Sequence, residues 1–235
     1  MQRLFDVLFS GLALVILSPL LLPIALLLRF TGESEIFFLQ ERIGKDGQPF
    51  KLYKFATMLK NSPNIGAGTV TLKNDPRVLP VGKFLRKTKI NELPQLLNIF
   101  IGDMSVVGPR PQTHRCFNAF PKELRQVIIK VSPGLSGIGP IVFRGEEDIL
   151  ANHAGSVEFY DQVIAPYKGQ IEAWYISHNT LFTYFAVILV TIWVVLFPSS
   201  GIVWHVFKGL PVPPDTLKEP LNFPLSSITH PERTL

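Results

Sequence analysis

Between Val7 and Leu28 the chain carries 22 consecutive residues without a charge, most of them aliphatic. A run of that composition belongs in a bilayer or in a core, and its length is close to the roughly 20 residues with which a helix crosses a membrane. Two features argue against a plain crossing. Ser18-Pro19 and Pro23 interrupt the middle of the run, and Arg3 and Arg29 place a cation at each end. Proline leaves a helical carbonyl without its donor, a gap the Ser18 hydroxyl is placed to fill. Cations at both ends suit a segment that enters and leaves through one leaflet. The expected form is a re-entrant helix-break-helix over residues 1–30, with a single span kinked at proline as the alternative. A cleaved signal peptide is disfavoured, because Arg29 ends the run with no small-residue cleavage site after it.

With 47% hydrophobic and 17% charged residues in 235, the chain is too apolar for an ordinary soluble domain and too short for several domains. Its net charge of +5 does not point to nucleic acid, since the basic residues form no stripe and carry no nucleic-acid motif. Anionic lipid heads and pyrophosphates account for them better. Cys116 is the only cysteine, which excludes an internal disulfide. The histidines at 114, 153, 178, 205 and 230 lack metal-ligand spacing, so a zinc site is not expected.

Chemistry concentrates in residues 86 to 111. Leu93, Leu96, Leu97 and Phe100 repeat at helical spacing, Asn91 is a suitable N-cap, and Pro94 falls in the first turn. That reading puts Asn91 and Glu92 at the positive end of a helix, just after Arg86, Lys87 and Lys89, where phosphate or a metal-phosphate complex would be stabilised. Gly102-Asp103 then turns the chain, and Gly108-Pro109-Arg110-Pro111 holds one arginine between two prolines. A guanidinium on so stiff a segment loses little entropy when it forks onto a phosphate; a turn with a solvated arginine is the plainer reading.

Elsewhere, Asp46-Gly47 between the apolar runs 36–40 and 49–55 predicts a β-hairpin. Residues 61–76 lack periodicity and read as a mobile loop that could close over a substrate. Lys122 to Val131 reads as a short amphipathic helix. Glu146, Glu147 and Asp148 could hold a metal but more simply complement a helix dipole. Aromatic residues among charges over 158–177 suit interfacial helices or core packing alike. Leu181 to Phe197 is a second apolar segment, marginal as a span, and from Gly209 on the prolines and serines predict an extended or disordered tail.

The block Lys89-Ile90-Asn91-Glu92-Leu93-Pro94-Gln95-Leu96, followed by Gly102-Asp103-Met104-Ser105 and Val107-Gly108-Pro109-Arg110-Pro111, resembles the signature of the bacterial sugar transferases, the monotopic polyprenyl-phosphate phosphoglycosyl transferases. Lys51-Leu52-Tyr53-Lys54-Phe55, Asp75-Pro76-Arg77-Val78 and Ser132-Pro133-Gly134-Leu135-Ser136-Gly137 are similar to further motifs of that family in the same order. The resemblance covers roughly residues 1–180 and implies most of the expected fold. That fold is an α/β, helix-rich, membrane-embedded domain with a small hairpin and an N-terminal re-entrant membrane helix. Its expected parts are residues 1–30, a transferase domain over 31–180, the apolar segment 181–208 and a Pro-rich tail over 209–235.

The resemblance implies transfer of a phospho-sugar from a nucleotide-diphospho-sugar, expected to be UDP-linked, to a polyprenyl phosphate. Such a step starts a lipid-linked glycan for exopolysaccharide, capsule, O-antigen or glycoprotein. It also implies the bacterial inner membrane, with the site facing the cytoplasm where nucleotide sugars are made. Glu92, Asn91 and Asp103 are the expected catalytic residues, Arg86, Lys87, Arg110 and Arg144 the expected substrate contacts, and Glu92 the expected ligand of Mg²⁺, which would screen a diphosphate from the carboxylate. No nucleic-acid partner is expected; membrane lipid is, and a homo-oligomer is left open.

One departure bears on mechanism. The family typically has an aspartate nucleophile where this chain has Asn91, and a neutral amide is a far weaker nucleophile. Three readings stay open: direct attack by the lipid phosphate, a covalent role for Glu92 or Asp103, or a lapsed transferase that still binds nucleotide sugar or lipid phosphate. Ala56 and Ile138-Gly139-Pro140-Ile141-Val142-Phe143 also depart from the family pattern, while Arg144 keeps its register, so sugar and base are left undetermined.

Overall fold

The computed structural model describes residues 1–31, 33–65, 75–153 and 156–224. The chain packs as two compact units. One holds residues 3–42 and 49–104; the other holds 1–2, 43–48 and everything from Ser105 on. They are called here the hairpin unit and the C-terminal unit.

The hairpin unit begins with α1 (Gln2–Phe30), whose buried residues are Asp6, Ser10 and Leu28. Among the described residues it is the one helix long and apolar enough to cross a membrane, and its most apolar 18-residue window is only 6% buried. The helical break expected at Ser18-Pro19 is absent, and the helix continues through Pro19 and Pro23. The reason is local. The Ser18 hydroxyl donates to the Val15 carbonyl at 2.7 Å, and that carbonyl is the one left bare by the missing Pro19 N–H. Nor is Arg3 only a flanking charge. Its guanidinium donates to the carbonyls of Ile99 and, at 2.8 Å, Phe100.

Strands β1 (Phe37–Ile43) and β2 (Pro49–Phe55) form the expected hairpin, and a two-strand pair closed by so short a connection is antiparallel. Its turn over Lys45–Gly47 uses positive φ at Asp46 (55°) and Gly47 (74°). Phe55 joins Leu28 and Leu85 in a core against which Leu21, Ile24, Ile36 and Val81 pack. Next comes α2 (Pro80–Lys87), with proline opening its first turn. Gly82 lets it approach closely, since a Cβ there would lie 2.2 Å from the Thr57 carbonyl oxygen. Lys89 reverses the chain in a left-handed conformation (φ 60°), a 3₁₀ turn spans Ile90–Glu92, and α3 (Gln95–Ile101) ends at Gly102 with φ 111°. Arg3 thus covers the orphan carbonyls at the end of α3, where a cation also suits the helix dipole.

Much of the loop expected over 61–76 lies outside the described residues, but its ends are held by a buried ion pair. Asp75 and Arg77 bond as a fork at 2.9 and 2.6 Å, and Arg77 also donates to the carbonyls of Ser62 and Ile65. The Asp-Pro-Arg-Val motif is therefore scaffold.

In the C-terminal unit, β3 (Ser105–Val107) runs parallel to β4 (Gly134–Ser136), Ser105 opposite Gly134 and Val107 opposite Ser136. Between them lie α4 (His114–Asn118), capped by the Thr113 hydroxyl, and α5 (Lys122–Ile128). Short helices α6 (Ile138–Val142), α7 (Glu146–Asn152) and α8 (Val157–Phe159) follow. A π turn over Tyr160–Ile164 leads into α9 (Ala165–Ser177), and α10 (Leu181–Leu196) comes after it. Tyr160, Tyr167 and Tyr175 are buried, so the aromatics of 158–177 that could have met a membrane interface include core residues. Thr183, Tyr184, Val187, Val190 and Val194 bury one face of α10, while Leu189, Ile192, Trp193 and Leu196 stay exposed.

The tail expected to be extended or disordered is packed as far as Pro224. Beyond α11 (Ile202–Val206), Leu210, Leu217 within α12 (Asp215–Lys218) and Leu221 are buried. The Tyr167 hydroxyl donates to the Pro211 carbonyl at 2.7 Å, and the Trp204 indole to that of Leu221 at 3.0 Å. Prolines set φ without preventing the intervening leucines from reaching a core. Residues 225–235 lie outside the described set.

Candidate functional site

In the hairpin unit the expected site residues are grouped around the connection from α2 to α3. Arg86 and Lys87 close α2; Lys87 is exposed, and Arg86 is half-buried with its guanidinium 3.7 Å from the Met58 sulfur. The N-cap of α3 is Pro94, not Asn91. Proline has no N–H to satisfy and already holds a helical φ, so the α-helix starts beyond Glu92. Asn91 and Glu92 therefore lie in the preceding 3₁₀ turn, not at the positive end of α3. Asn91 is buried, and its Oδ1 has no hydrogen-bond partner among the described residues.

Glu92 is half-buried, with its side chain 25% exposed, and its Oε1 accepts from the Lys54 ammonium at 3.2 Å. Lys54 comes from β2, so the hairpin delivers the counter-charge. Asn98, fully buried on α3, ties the same strand down: it accepts from the Tyr53 N–H at 2.9 Å and donates to the Lys51 carbonyl at 2.8 Å. It also donates to Asp103 Oδ2 at 3.1 Å. Asp103 thus helps hold the turn after α3, the alternative role its position in the sequence allows. The apolar face also differs from the spacing argument. Leu96 and Ile99 are buried, whereas Phe100 is 46% exposed with its ring against Gly11 of α1.

The C-terminal unit supplies Arg110 and Arg144. Every stage of the loop around Arg110 is clamped through its backbone. The Val107 carbonyl accepts from the Tyr175 hydroxyl at 3.2 Å, Gly108 N–H donates to Ser136 at 2.9 Å, and the Pro109 carbonyl accepts from Gly134 N–H at 2.8 Å. Arg110 N–H donates to Glu172 Oε1 at 3.2 Å, and the Gln112 carbonyl accepts from Ile43 N–H at 3.0 Å. The arginine side chain itself is exposed. Gly134 and Gly137 permit this packing, since a Cβ on either would lie about 2 Å from a Gly108 backbone atom. Arg144 is exposed and lines a cleft of about 460 Å³ with Asp148, Asn152, Val203 and Leu221. Glu146, a candidate metal ligand by sequence, is paired with buried Lys168 at 2.5 Å.

Burial pushes the Glu172 carboxyl up to about 7, against the lowering effects of the Arg110 N–H and the Lys168 charge. A carboxyl raised on folding binds more protons in the folded state, so its contribution to stability falls as pH climbs from the ordinary glutamate range through about 7. Relative to Glu172→Gln, the wild-type protein should lose about 2.5 kcal/mol between pH 5 and pH 8. Denaturant unfolding at both pH values checks this, and parallel curves for the two proteins would refute it.

A family model described as bacterial sugar transferase matches residues 1–198. The chain belongs to the bacterial sugar transferase family. Among curated members, the UDP-glucose:undecaprenyl-phosphate glucose-1-phosphate transferase of Klebsiella pneumoniae is 39% identical over 163 residues, 67% of this chain and 34% of that one. The enzyme of the same name in Escherichia coli K12 is 40% identical over 166 residues, 68% and 35% of the two chains. The exopolysaccharide production protein ExoY of Rhizobium meliloti is 37% identical over 177 residues, 69% of this chain and 76% of the relative. The chain thus spans about a third of the length of the first two relatives.

Of the sugar transferase motifs, Lys-x-Tyr-Lys-Phe and the Glu92 turn meet through the Lys54 ion pair, which the sequence did not reveal as a contact. Asn98 and Glu172 were missed as well. The signal for Glu172 was a lone acid in an apolar helix, but its natural reading, an i, i+4 pair with Lys168, fails because Lys168 bonds Glu146 instead.

Proposed function

We propose that this chain transfers a sugar phosphate from a nucleotide-diphospho-sugar, UDP-linked as in the names of its relatives, to a polyprenyl phosphate, and so begins a lipid-linked glycan. The observation that carries the reading is Glu92, a half-buried carboxylate fixed by Lys54 within a family motif rich in cations. An oxygen of the lipid phosphate attacks the sugar-bearing phosphorus, forming one P–O bond while the bond to the nucleoside monophosphate breaks and its electron pair leaves with that product. Direct attack is preferred because Asn91 is a neutral, buried amide. Catalysis is then mostly positioning and neutralisation of charge. Arg86 and Lys87 serve as phosphate contacts in the hairpin unit, and Arg110 and Arg144 take that role in the C-terminal unit. Asp103 acts through Asn98 on the turn.

Among the described residues no three His, Cys, Asp or Glu side chains are grouped to cage a metal. A lone carboxylate still fits Mg²⁺, which commonly takes one or two protein carboxylates and completes its shell with phosphate oxygens and water. Glu92 would hold it, and the ion would neutralise charge on the diphosphate. Purified protein in nanodiscs, given UDP-sugars, Mg²⁺ and undecaprenyl phosphate, should release nucleoside monophosphate only when the lipid phosphate is present, and should stop when the metal is chelated. Nucleotide-sugar binding without release, restored to turnover by Asn91→Asp, would replace this reading with a lapsed transferase.

The same proposal seats α1 in the bacterial inner membrane, bent at Pro19 and Pro23 without losing its helical turns, so that both ends and the site lie on the cytoplasmic side. In a Cys116→Ser background, single cysteines at Gln2 and Thr31 should both react with an impermeant thiol reagent only from the cytoplasmic face. Labelling from opposite faces would make α1 a simple span.

A further inference from the structure

We infer that Glu172 is a positioning residue that holds the backbone of Arg110 and so presents its guanidinium to phosphate, an inference that rests on the transferase reading above. Glu172 is 1% exposed, on the 13-residue helix α9. One oxygen, Oε1, accepts the Arg110 N–H at 3.2 Å; the other, Oε2, is buried and has no hydrogen-bond partner among the described residues. A buried acid with one idle oxygen costs stability, and leucine would fill the space more cheaply. Its value must lie in the bond it makes.

The surroundings are built to admit it. A Cβ on Gly139 would come within 2.2 Å of Oε1, so only glycine lets the carboxyl lie against the backbone of α6. Tyr175, one turn further along α9, bonds the Val107 carbonyl, so the same helix grips the loop at two points. The loop is also held by main-chain bonds to Ser136, Gly134 and Ile43, and by the Gln2 amide, which donates to the Val107 carbonyl at 3.3 Å. Among the described residues, Glu172 is the side chain that bonds the Arg110 backbone itself. Since Pro109 and Pro111 have no N–H, the Arg110 amide is the loop's one donor between Gly108 and Gln112, and without its acceptor the tip can turn about Arg110. A misplaced guanidinium cannot fork onto phosphate, and positional errors of this kind cost far more in rate than in stability.

The test combines amide exchange with kinetics on the full chain in nanodiscs. Glu172→Leu should speed exchange of the Arg110 amide at least about 10-fold, whereas Glu172→Gln, which keeps an oxygen acceptor, should stay within about 3-fold of wild type. In nucleoside monophosphate release, Glu172→Leu should raise KM for UDP-sugar and lower kcat/KM about 10- to 100-fold, with Glu172→Gln largely rescued. In an Arg110→Ala background the same change should cost less than about 2-fold, because its effect runs through that guanidinium. Unchanged Arg110 exchange in Glu172→Leu overturns the inference whether or not the protein turns over. Losses that multiply in the double variant would make Glu172 merely structural. A wild-type protein with no lipid-dependent release would instead refute the transferase reading, with the exchange result standing by itself.

Discussion

Glu92→Gln should abolish sugar-phosphate transfer, lowering kcat about 10²- to 10³-fold, while moving the unfolding free energy by less than about 1 kcal/mol. The two halves have one cause. Gln keeps the shape of the side chain and an oxygen facing Lys54, so packing around the 3₁₀ turn is preserved. The pair it weakens is partly exposed, at 18% for Lys54 and 25% for Glu92, and such pairs contribute little to folding. What disappears is the negative charge, and with it the oxygen that would hold a hard cation against a diphosphate. Nucleoside monophosphate release, measured beside a denaturant curve, checks both halves. Near-normal turnover would remove Glu92 from the machinery, and a large loss of stability would turn it into scaffold.

Asp75→Ala should do the opposite, destabilising the chain by about 3–5 kcal/mol while leaving the rate per folded molecule near wild type. Asp75 and Arg77 are 4% and 5% exposed, and their forked ion pair lies out of water. Removing the carboxylate strands a buried guanidinium that still donates to the Ser62 and Ile65 carbonyls but has lost its counter-charge. That residual charge, rather than the missing bond, makes the effect large. Unfolding in denaturant measures it. A loss below about 1 kcal/mol would mean that water reaches Arg77 when Asp75 is gone.

These two acids show how far the sequence can be read. Both stand in family motifs, and nothing in Asp75-Pro76-Arg77 or Asn91-Glu92 distinguishes a scaffold carboxylate from one that faces substrate. The two differ in burial, and burial depends on what the distant chain brings. The hairpin was legible because Asp46-Gly47 is local turn chemistry. The start of α3 was misread because an asparagine N-cap and a proline that simply opens the helix give similar sequence patterns. The tail was misread because composition records prolines but not the pockets that accept Leu217 and Leu221.

By itself the sequence determined the apolar α1, the family, the cationic approach to Glu92 and the stiffness of the Pro-Arg-Pro loop, all of which follow from hydropathy, local spacing and restricted backbone angles. Only the tertiary structure decided that Ser18 keeps α1 helical through Pro19, that Lys54 faces Glu92, that Asn98 ties Asp103 to β2 and that Glu172 holds Arg110. Lys54 with Glu92, Asn98 with Tyr53 of β2, and Glu172 with Arg110 are 38 or more positions apart in the chain, where no local rule fixes a partner. Even Ser18 had two local outcomes, a break or a bridged helix, and the bond its hydroxyl makes to Val15 selects the second.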